Sequence, residues 1–318
     1  MGVTKNIQSE ENIKKMVAHA FPNKEMLSCK ELTEGMCNVA YLILFTDGTK
    51  SILKIAAADN HGYMTNEVNM MDAEVKAMEL ARGKMSAKVA GIELFDKERK
   101  LCSGNYFFME FIEGENYFFT QDTYTEEEKE DISFQIGQNV KQMVSIIGTD
   151  FRQLGDEDNH FATQYELMRH MLTNVINDAD RKSVEYFVRG DELLHMLEKD
   201  KEIFAEVTKP SLVHYDLWEG NVFIKDKRVV GIIDWERALF GDPLMEDRFR
   251  RHTRNDAFLR GYGQEKFTDS EMRRIYWYDI LLYLTMMTEG QYREYEDDGQ
   301  YRWVAPLYEA SLKELKNE

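Results

Sequence analysis

The stretch Leu212-Val-His-Tyr-Asp-Leu-Trp-Glu-Gly-Asn-Val-Phe-Ile224 sets polar side chains between two short apolar runs. Apolar runs of this length are typical of buried strands. His214, Asp216 and Asn221 are therefore expected in a loop between two strands. The stretch predicts a small β-rich island within a part of the chain that is otherwise helical in pattern.

Asp234 follows thirteen residues after Asn221, at the end of the apolar run Val229 to Ile233. Phosphoryl transfer needs a group that orients the attacking hydroxyl, and it needs oxygen ligands for Mg²⁺. Asp216 can accept the hydroxyl proton, while Asn221 and Asp234 offer oxygen atoms to metal ions that contact the phosphates. Protein kinases have the same H-x-D-x-x-x-x-N arrangement followed by a metal-binding Asp. We therefore predict Asp216 as catalytic base, with His214 supporting the catalytic loop.

The chain departs from protein kinases after the metal-binding Asp. Trp235 and Glu236 replace the usual Phe-Gly, and no A-P-E sequence follows. These differences disfavour a protein kinase. A pseudokinase that binds nucleotide and regulates a partner is the alternative, but neither the base nor the metal ligands are lost.

Two spaced motifs carry a family resemblance. His214-Tyr-Asp-Leu-Trp-Glu-Gly-Asn221, followed by Ile232-Ile-Asp-Trp-Glu-Arg-Ala-Leu-Phe-Gly-Asp-Pro243, resembles the aminoglycoside phosphotransferase and choline kinase superfamily. The catalytic loop is also similar to that of fructosamine kinases. The resemblance implies an α+β, protein-kinase-like two-lobed fold, with an N-terminal antiparallel sheet plus helix and a mainly helical C-terminal lobe. It also implies transfer of the γ-phosphate of ATP or GTP, with Mg²⁺, to a hydroxyl of a small acceptor such as an aminoglycoside or amino sugar.

The element pattern agrees with this architecture. Short apolar runs predict strands at 25–33, 40–45, 51–56, 89–95 and 106–111. Apolar residues at near-helical spacing predict a helix at 66–81. Later segments predict helices from the capping box at Thr125 and Glu128 to about 147, and at 161–177, 191–207, 245–262, 269–289 and 304–316. Strands are predicted at 211–213, 222–225 and 229–233. We expect a nucleotide-binding lobe at 1–111 and a catalytic and substrate lobe at 112–318.

The N-terminal lobe supplies further candidate residues. Lys54 is a charge inside an apolar strand, where it needs an anionic partner. The resemblance places this lysine on the α- and β-phosphates and pairs it with a helix glutamate, for which Glu74 fits best. Gly35 and Asn38 lie in a segment that resembles the phosphate-covering loop of the family.

Two other segments receive roles from the same resemblance. Phe107-Phe-Met-Glu-Phe-Ile-Glu-Gly114 resembles the hinge between lobes, where backbone groups of Glu110 to Ile112 would contact the purine. Glu236 is expected to help position a metal ion, and Asp242 is expected to brace the catalytic loop.

Charge and composition limit the partners. A formal net charge of -18 argues against nucleic acid and favours a cationic small acceptor, although acidity also serves solubility. Four acids near the C-terminus are the predicted acceptor contacts, and the alternative is a solvated helix junction: Glu294, Glu296, Asp297 and Asp298.

The sequence shows no run near the roughly 20 apolar residues of a membrane helix, so no membrane association is expected. Residues 1–11 are polar and lack a secretory pattern, and a cytoplasmic protein is expected. The three cysteines show no C-x-x-C pairing and predict free thiols.

Overall fold

The structure is a computed structural model that describes residues 6–32, 38–58 and 62–317. Two compact units are present. The first comprises the described residues up to Tyr63 together with Ala90–Glu113, and the second comprises Met64–Val89 together with the described residues from Gly114 onward. This grouping differs from the expected lobes 1–111 and 112–318 in the segment 64–89, which belongs to the second unit, and in residues 112–113, which belong to the first.

The first unit is one helix against an antiparallel sheet in the order β1-β2-β3-β5-β4. Its elements are α1 (Glu10–Ala20), β1 (Met26–Leu32), β2 (Val39–Phe45), β3 (Lys50–Ile55), β4 (Ile92–Asp96) and β5 (Tyr106–Glu110). Alternate residues of β2 are buried, as expected for a strand with one face toward a core. The β2–β3 turn forms at Asp47, whose Oδ1 accepts from the Thr49 N–H at 2.9 Å.

Helix α1 was not predicted from the sequence. Ser9 caps its N-terminus, where Oγ accepts from the Asn12 N–H at 3.2 Å. Ile13, Met16 and Val17 share one face of the helix and are buried in the core of the first unit. Three apolar residues within a polar segment are too few to show a helical repeat in the sequence.

The second unit is mainly helical. Its helices are α2 (Met70–Ala81), α3 (Tyr117–Thr120), α4 (Glu126–Met143), α5 (Gln164–Arg181), α6 (Gly190–Lys199), α7 (Lys201–Phe204), α8 (Asp256–Tyr262), α9 (Asp269–Tyr292) and α10 (Gly299–Lys316). Its strands are β6 (Glu115–Asn116), β7 (Arg152–Gln153), β8 (Ser211–Val213), β9 (Val222–Lys225), β10 (Arg228–Ile232) and β11 (Leu239–Gly241). They form two small sheets, β10-β9-β6 and β7-β11-β8. The predicted catalytic loop, residues 214–221, lies between β8 and β9. These two sheets therefore hold both of its ends.

Two glycines allow α4 and α8 to cross closely. A Cβ at Gly137 would lie 2.2 Å from the Phe258 carbonyl oxygen, and a Cβ at Gly261 would lie 2.0 Å from the Phe134 carbonyl oxygen. No side chain fits either position without moving a backbone. The capping box predicted at the start of α4 is confirmed, with Thr125 and Glu128 each bonding the backbone of the other.

Two helix predictions were wrong in extent. The helix predicted at 245–262 begins only at Asp256, because the chain first makes two 3₁₀ turns, Pro243–Met245 and Asp247–Phe249. The helix predicted at 191–207 divides at Asp200 into α6 and α7. In the part of the chain that the structure describes, no helix has both the length and the apolar character needed to cross a bilayer.

Candidate active site

The catalytic loop is fixed by the two ring nitrogens of His214, which is fully buried. The backbone N–H of Asp216 donates to His214 Nδ1 at 3.3 Å, so Nδ1 is an acceptor. Nε2 therefore carries the proton and donates to the Ile233 carbonyl at 2.9 Å. His214 thus ties the backbone of Asp216 to the residue that precedes Asp234. This geometry supports the predicted loop-supporting role.

Two residues of the site have left-handed backbone conformations. Tyr215 has φ 70° and Asp234 has φ 65°. Such conformations are unfavourable for residues other than glycine, and they persist where surrounding contacts enforce them, often at functional sites. They turn the chain immediately before Asp216 and at Asp234 itself.

Asn221 connects the predicted base with the predicted metal site. Its Nδ2 donates to the Asp216 carbonyl at 2.8 Å and to Asp216 Oδ2 at 3.3 Å. This orientation leaves Oδ1, the amide oxygen, as the atom suited to a cation. The Asn221 carbonyl accepts from the Ile233 N–H at 3.1 Å, so the two motifs are joined by backbone as well.

Three carboxylates lie together beside these motifs. Glu74 of α2, Asp234 and Glu236 each offer an oxygen, and these oxygens lie within 4.8 Å of one another. Glu74 and Glu236 are buried and Asp234 is half-buried. Hard carboxylate oxygens at this spacing are the donors that Mg²⁺ prefers. The structure therefore brings Glu236 to Asp234, as the sequence predicted, and adds Glu74.

The protonation of Asp216 is set by its surroundings. Burial raises the pKa of this carboxyl well above its usual range, the Arg237 guanidinium lowers the pKa, and the neighbouring Asp234 raises it further. A carboxylate whose pKa moves toward neutrality is a better general base.

Glu246 is a site residue that the sequence did not reveal. Its Oε2 accepts from the backbone N–H of His214 at 3.0 Å and lies 3.4 Å from the N–H of Tyr215. The prediction that Asp242 braces the catalytic loop was wrong, because its Oδ2 accepts from Arg274 Nε and the Tyr278 hydroxyl, each at 2.9 Å. Glu246 lies 32 residues after His214 in the chain, and a contact between residues so far apart leaves no local signal in the sequence.

A buried ionic network adjoins the motif Asp234-Trp-Glu-Arg237. Arg237 Nη2 donates to Glu67 Oε1 at 3.1 Å and to Glu289 Oε1 at 2.8 Å. Arg293 Nη2 donates to the same Glu67 oxygen at 2.6 Å. The network joins the segment before α2 to the C-terminal end of α9, and no motif in the sequence reveals it.

Four of the predicted nucleotide-binding residues lie in the described part of the first unit: Asn38, Lys54, Glu110 and Ile112. Asn38, Lys54 and Ile112 are buried, and the Glu110 N–H donates to the Gly91 carbonyl at 2.9 Å. A purine contact by Glu110 would therefore use another atom than its N–H. The purine contacts, like the pairing of Lys54 with Glu74 of the second unit, stay predictions, and Gly35 lies outside the described residues.

The four predicted acceptor contacts lie in the turn between α9 and α10, and all are exposed: Glu294, Glu296, Asp297 and Asp298. Asp298 pairs with Arg302 at 3.0 Å, and Asp297 Oδ1 accepts from the Gly299 N–H at 2.7 Å. Solvent and these partners screen the cluster, which supports the reading as a solvated helix junction. Their contact with an acceptor stays a prediction.

The fold and this loop geometry define a phosphotransferase of the two-lobed, protein-kinase-like class. A family model described as the phosphotransferase enzyme family matches residues 28–247. The chain belongs to this family and is a phosphotransferase, as the motifs predicted. No curated protein matches the chain.

Solved structures share the fold at low sequence identity. A thermostable mutant of aminoglycoside phosphotransferase APH(4)-Ia, in a ternary complex with AMP-PNP and hygromycin B, is 15% identical over 96% of this chain and 100% of that one, with a TM-score of 0.69. A putative fructosamine-3-kinase from Thermobifida fusca YX-ER1 is 14% identical over 96% and 100%, with a TM-score of 0.67. The GDP and kanamycin complex of APH(2")-IIia is 14% identical over 96% and 99%, with a TM-score of 0.63. The predicted fold class is confirmed.

Proposed function

We propose that this chain is a small-molecule kinase that transfers the γ-phosphate of ATP or GTP to a hydroxyl of a small, cationic acceptor such as an aminoglycoside or amino sugar. The observation that carries the proposal is the position of Asn221. It donates to the carboxylate of Asp216 and directs its amide oxygen away from that carboxylate. A base and a metal ligand are thus held by one side chain, as phosphoryl transfer requires.

These groups divide the tasks of the reaction among them. The Asp216 carboxylate accepts the proton of the acceptor hydroxyl as its oxygen attacks phosphorus. His214 and Glu246 hold the backbone on either side of Tyr215, so that the carboxylate keeps its direction. Lys54 is proposed to bind the α- and β-phosphates, with Glu74 as its partner.

The oxygen donors of Asn221, Asp234, Glu236 and Glu74 fit Mg²⁺ in chemistry, and three of them converge within 4.8 Å. Bound there, the ion would neutralise charge on the phosphates. Asn221 and Asp234 are the proposed principal ligands.

A cationic acceptor is supported by two observations. The chain has a formal net charge of -18, which attracts cations over the whole surface. Two structures of the same fold hold aminoglycosides, hygromycin B in one and kanamycin in the other.

The proposal is tested by incubating the protein with labelled ATP or GTP, Mg²⁺ and a panel of amino sugars, aminoglycosides, amino alcohols and neutral sugars. We expect label on one class of acceptor and none on protein substrates. Nucleotide binding without transfer to any acceptor or to water would indicate a pseudokinase and contradict the proposal.

A further inference from the structure

Three exposed aromatic side chains form a continuous surface beside the catalytic loop. Phe118 is 45% exposed, Phe119 is 61% exposed and Trp218 is 39% exposed. The ring centroids of Phe118 and Phe119 are 5.3 Å apart, and those of Phe118 and Trp218 are also 5.3 Å apart. We call these three residues the aromatic platform. Contiguous exposed aromatic surface in a soluble protein commonly marks a binding site.

The platform is held in place by the backbone of the catalytic loop. A Cβ at Gly220 would lie 2.3 Å from two atoms of the Trp218 ring, so the indole packs directly on this glycine. Asn116 Nδ2 donates to the Gly220 carbonyl at 2.6 Å, and Asn116 Oδ1 accepts from the Phe118 N–H at 3.1 Å. Gly220 therefore contacts the indole and, through its carbonyl, also binds the segment that carries both phenylalanines.

The platform lies within reach of the proposed base. Trp218 follows Asp216 by two residues, and the backbone N–H of Trp218 donates to the backbone carbonyl of Asp216 at 3.2 Å. Two residues of extended chain span at most about 7 Å. The Cα atoms of Asp216 and Trp218 therefore lie within about 7 Å of each other, a separation that a small acceptor can bridge between the indole and the proposed base.

The size of the platform favours a small ligand over a protein. A buried aromatic side chain covers about 150–250 Å², so three rings that are about half exposed offer roughly 300 Å². A stable protein interface buries about 800 Å² on each partner. The platform is too small for such an interface and suits a ring or an ammonium group.

The faces of the three rings are open to a cation. Aromatic faces attract cations, most strongly at tryptophan. In the described part of the chain no Lys or Arg side chain lies over these three rings, and the neighbouring Arg248 is buried and paired with Glu219 at 2.7 Å. The surface therefore has room for a cation from outside.

We infer that the aromatic platform binds the acceptor through a protonated amine and thereby places the acceptor hydroxyl at Asp216. The inference rests on the proposed function and assigns acceptor recognition to Phe118, Phe119 and Trp218. It differs from the acidic turn at 294–298 because recognition by ring faces requires contact and does not act over distance.

The test compares two pairs of probes that share their hydroxyl groups and differ in charge: glucosamine with glucose, and kanamycin with its fully N-acetylated derivative. Binding is measured by calorimetry with AMP-PNP and Mg²⁺ present, and turnover is measured as ADP release. We expect the amine of at least one pair to bind at least tenfold more tightly than its neutral counterpart. Equal binding within both pairs, or no binding by either amine, overturns the inference.

Variants locate the amine. Trp218→Leu should raise KM for the amine by roughly two- to thirtyfold, the range expected for a cation–π contact, with a smaller change in kcat. Trp303→Leu is the matched control, since Trp303 is 52% exposed on α10. Phe119→Leu, compared with Phe187→Leu, repeats the test outside the catalytic loop. Equal effects of Trp218→Leu and Trp303→Leu would overturn the inference.

The two proposals fail in different ways. If the amines bind and Trp218→Leu weakens them, but no ADP forms in the unaltered protein, the platform is correct and the kinase proposal is wrong. If ADP forms with neutral acceptors as fast as with amines, the kinase proposal survives and the platform is wrong.

Discussion

A single side chain, Asn221, contacts the proposed base and is itself a proposed metal ligand. It is buried, and its two amide hydrogens are directed at Asp216. The proposed base contacts the acceptor, while the proposed metal ligands contact the nucleotide. A substitution at Asp216 should therefore change catalysis without changing nucleotide binding.

Asp216→Asn should lower kcat by about two to four orders of magnitude, which is the usual contribution of a general base, and leave Mg-ATP affinity nearly unchanged. Steady-state kinetics and calorimetry measure the two effects. Asp226→Asn, in the turn between β9 and β10, is the control. Turnover that stays within a few-fold of the unaltered protein would show that Asp216 is not the base.

Glu289 and Glu67 together balance the guanidinium groups of the half-buried Arg237 and the buried Arg293. Burial raises the pKa of Glu289, but Arg237 and Arg293 lower it to below its usual range overall. Glu289→Gln should therefore leave an uncompensated buried charge and lower the free energy of unfolding by about 3–5 kcal/mol. Urea denaturation measures the change, with the exposed Glu309→Gln as control. A loss below about 1 kcal/mol would mean that the network contributes little.

Helix packing depends on positions that have no side chain. Gly261→Ala would place a methyl group 2.0 Å from the Phe134 carbonyl oxygen, and α4 and α8 would have to separate. We expect a loss of about 1–3 kcal/mol, as for overpacked cores. Gln138→Ala, on the exposed face of α4, should change stability by less than about 0.5 kcal/mol. If both variants melt alike, the close crossing has no energetic consequence.

The sequence predicted elements well where the pattern is local. Strands Ser211–Val213 and Val222–Lys225 have the predicted bounds, because short apolar runs identify them. The extent of the helix predicted at 245–262 was wrong because side-chain bonds override periodicity there. Glu246 accepts from the His214 backbone, and this long-range contact holds the chain in turns.

The same limit applies to the site. The spacing of Asp216, Asn221 and Asp234 is itself the signal, and the structure brings the two motifs together through Asn221, while the catalytic and metal-binding roles of these residues stay predictions. Glu246 and Glu289 were not, since each contacts a residue far away in sequence and has no motif around it. The aromatic platform was missed because Phe118 and Trp218, 100 residues apart, look like ordinary apolar residues in sequence.

The stability of the whole protein should depend on pH through one buried carboxyl group, Asp247. Burial raises the pKa of Asp247 from 3.8 to about 7, against the lowering effect of Arg248 and the raising effect of Glu246. The folded protein therefore binds a proton that the unfolded chain has lost between about pH 4 and 7, and stability falls as pH rises through this range.

Asp247→Asn should remove this dependence. At pH 8 the variant should be more stable than the unaltered protein by up to about 4 kcal/mol, the equivalent of the pKa difference, and at pH 4 the two should be similar. Thermal melting across pH 4–8 measures the difference, and Asp226→Asn is again the control. A constant difference at all pH values would exclude Asp247 as the titrating group.

Long-range attraction gives the last prediction, for the four acids between α9 and α10. Replacing Glu294, Glu296, Asp297 and Asp298 with Gln or Asn should raise KM for a cationic acceptor with little change in kcat. The effect should shrink above about 0.5 M salt, where exposed charges are screened within a few ångströms. Kinetics at low and high salt measure it. An unchanged KM at low salt would leave the turn as a solvated junction only.

The grouping of segment 64–89 with the C-terminal unit has a consequence for synthesis on the ribosome. Glu67 is made 170 residues before its first partner Arg237 and 226 residues before Arg293. At about 5–20 residues per second, the first of these intervals is roughly 10 to 35 seconds. During this time Glu67 must remain hydrated, because burial without a partner would be costly. The segment 64–89 therefore completes its folding only after α9 and Arg293 have been made.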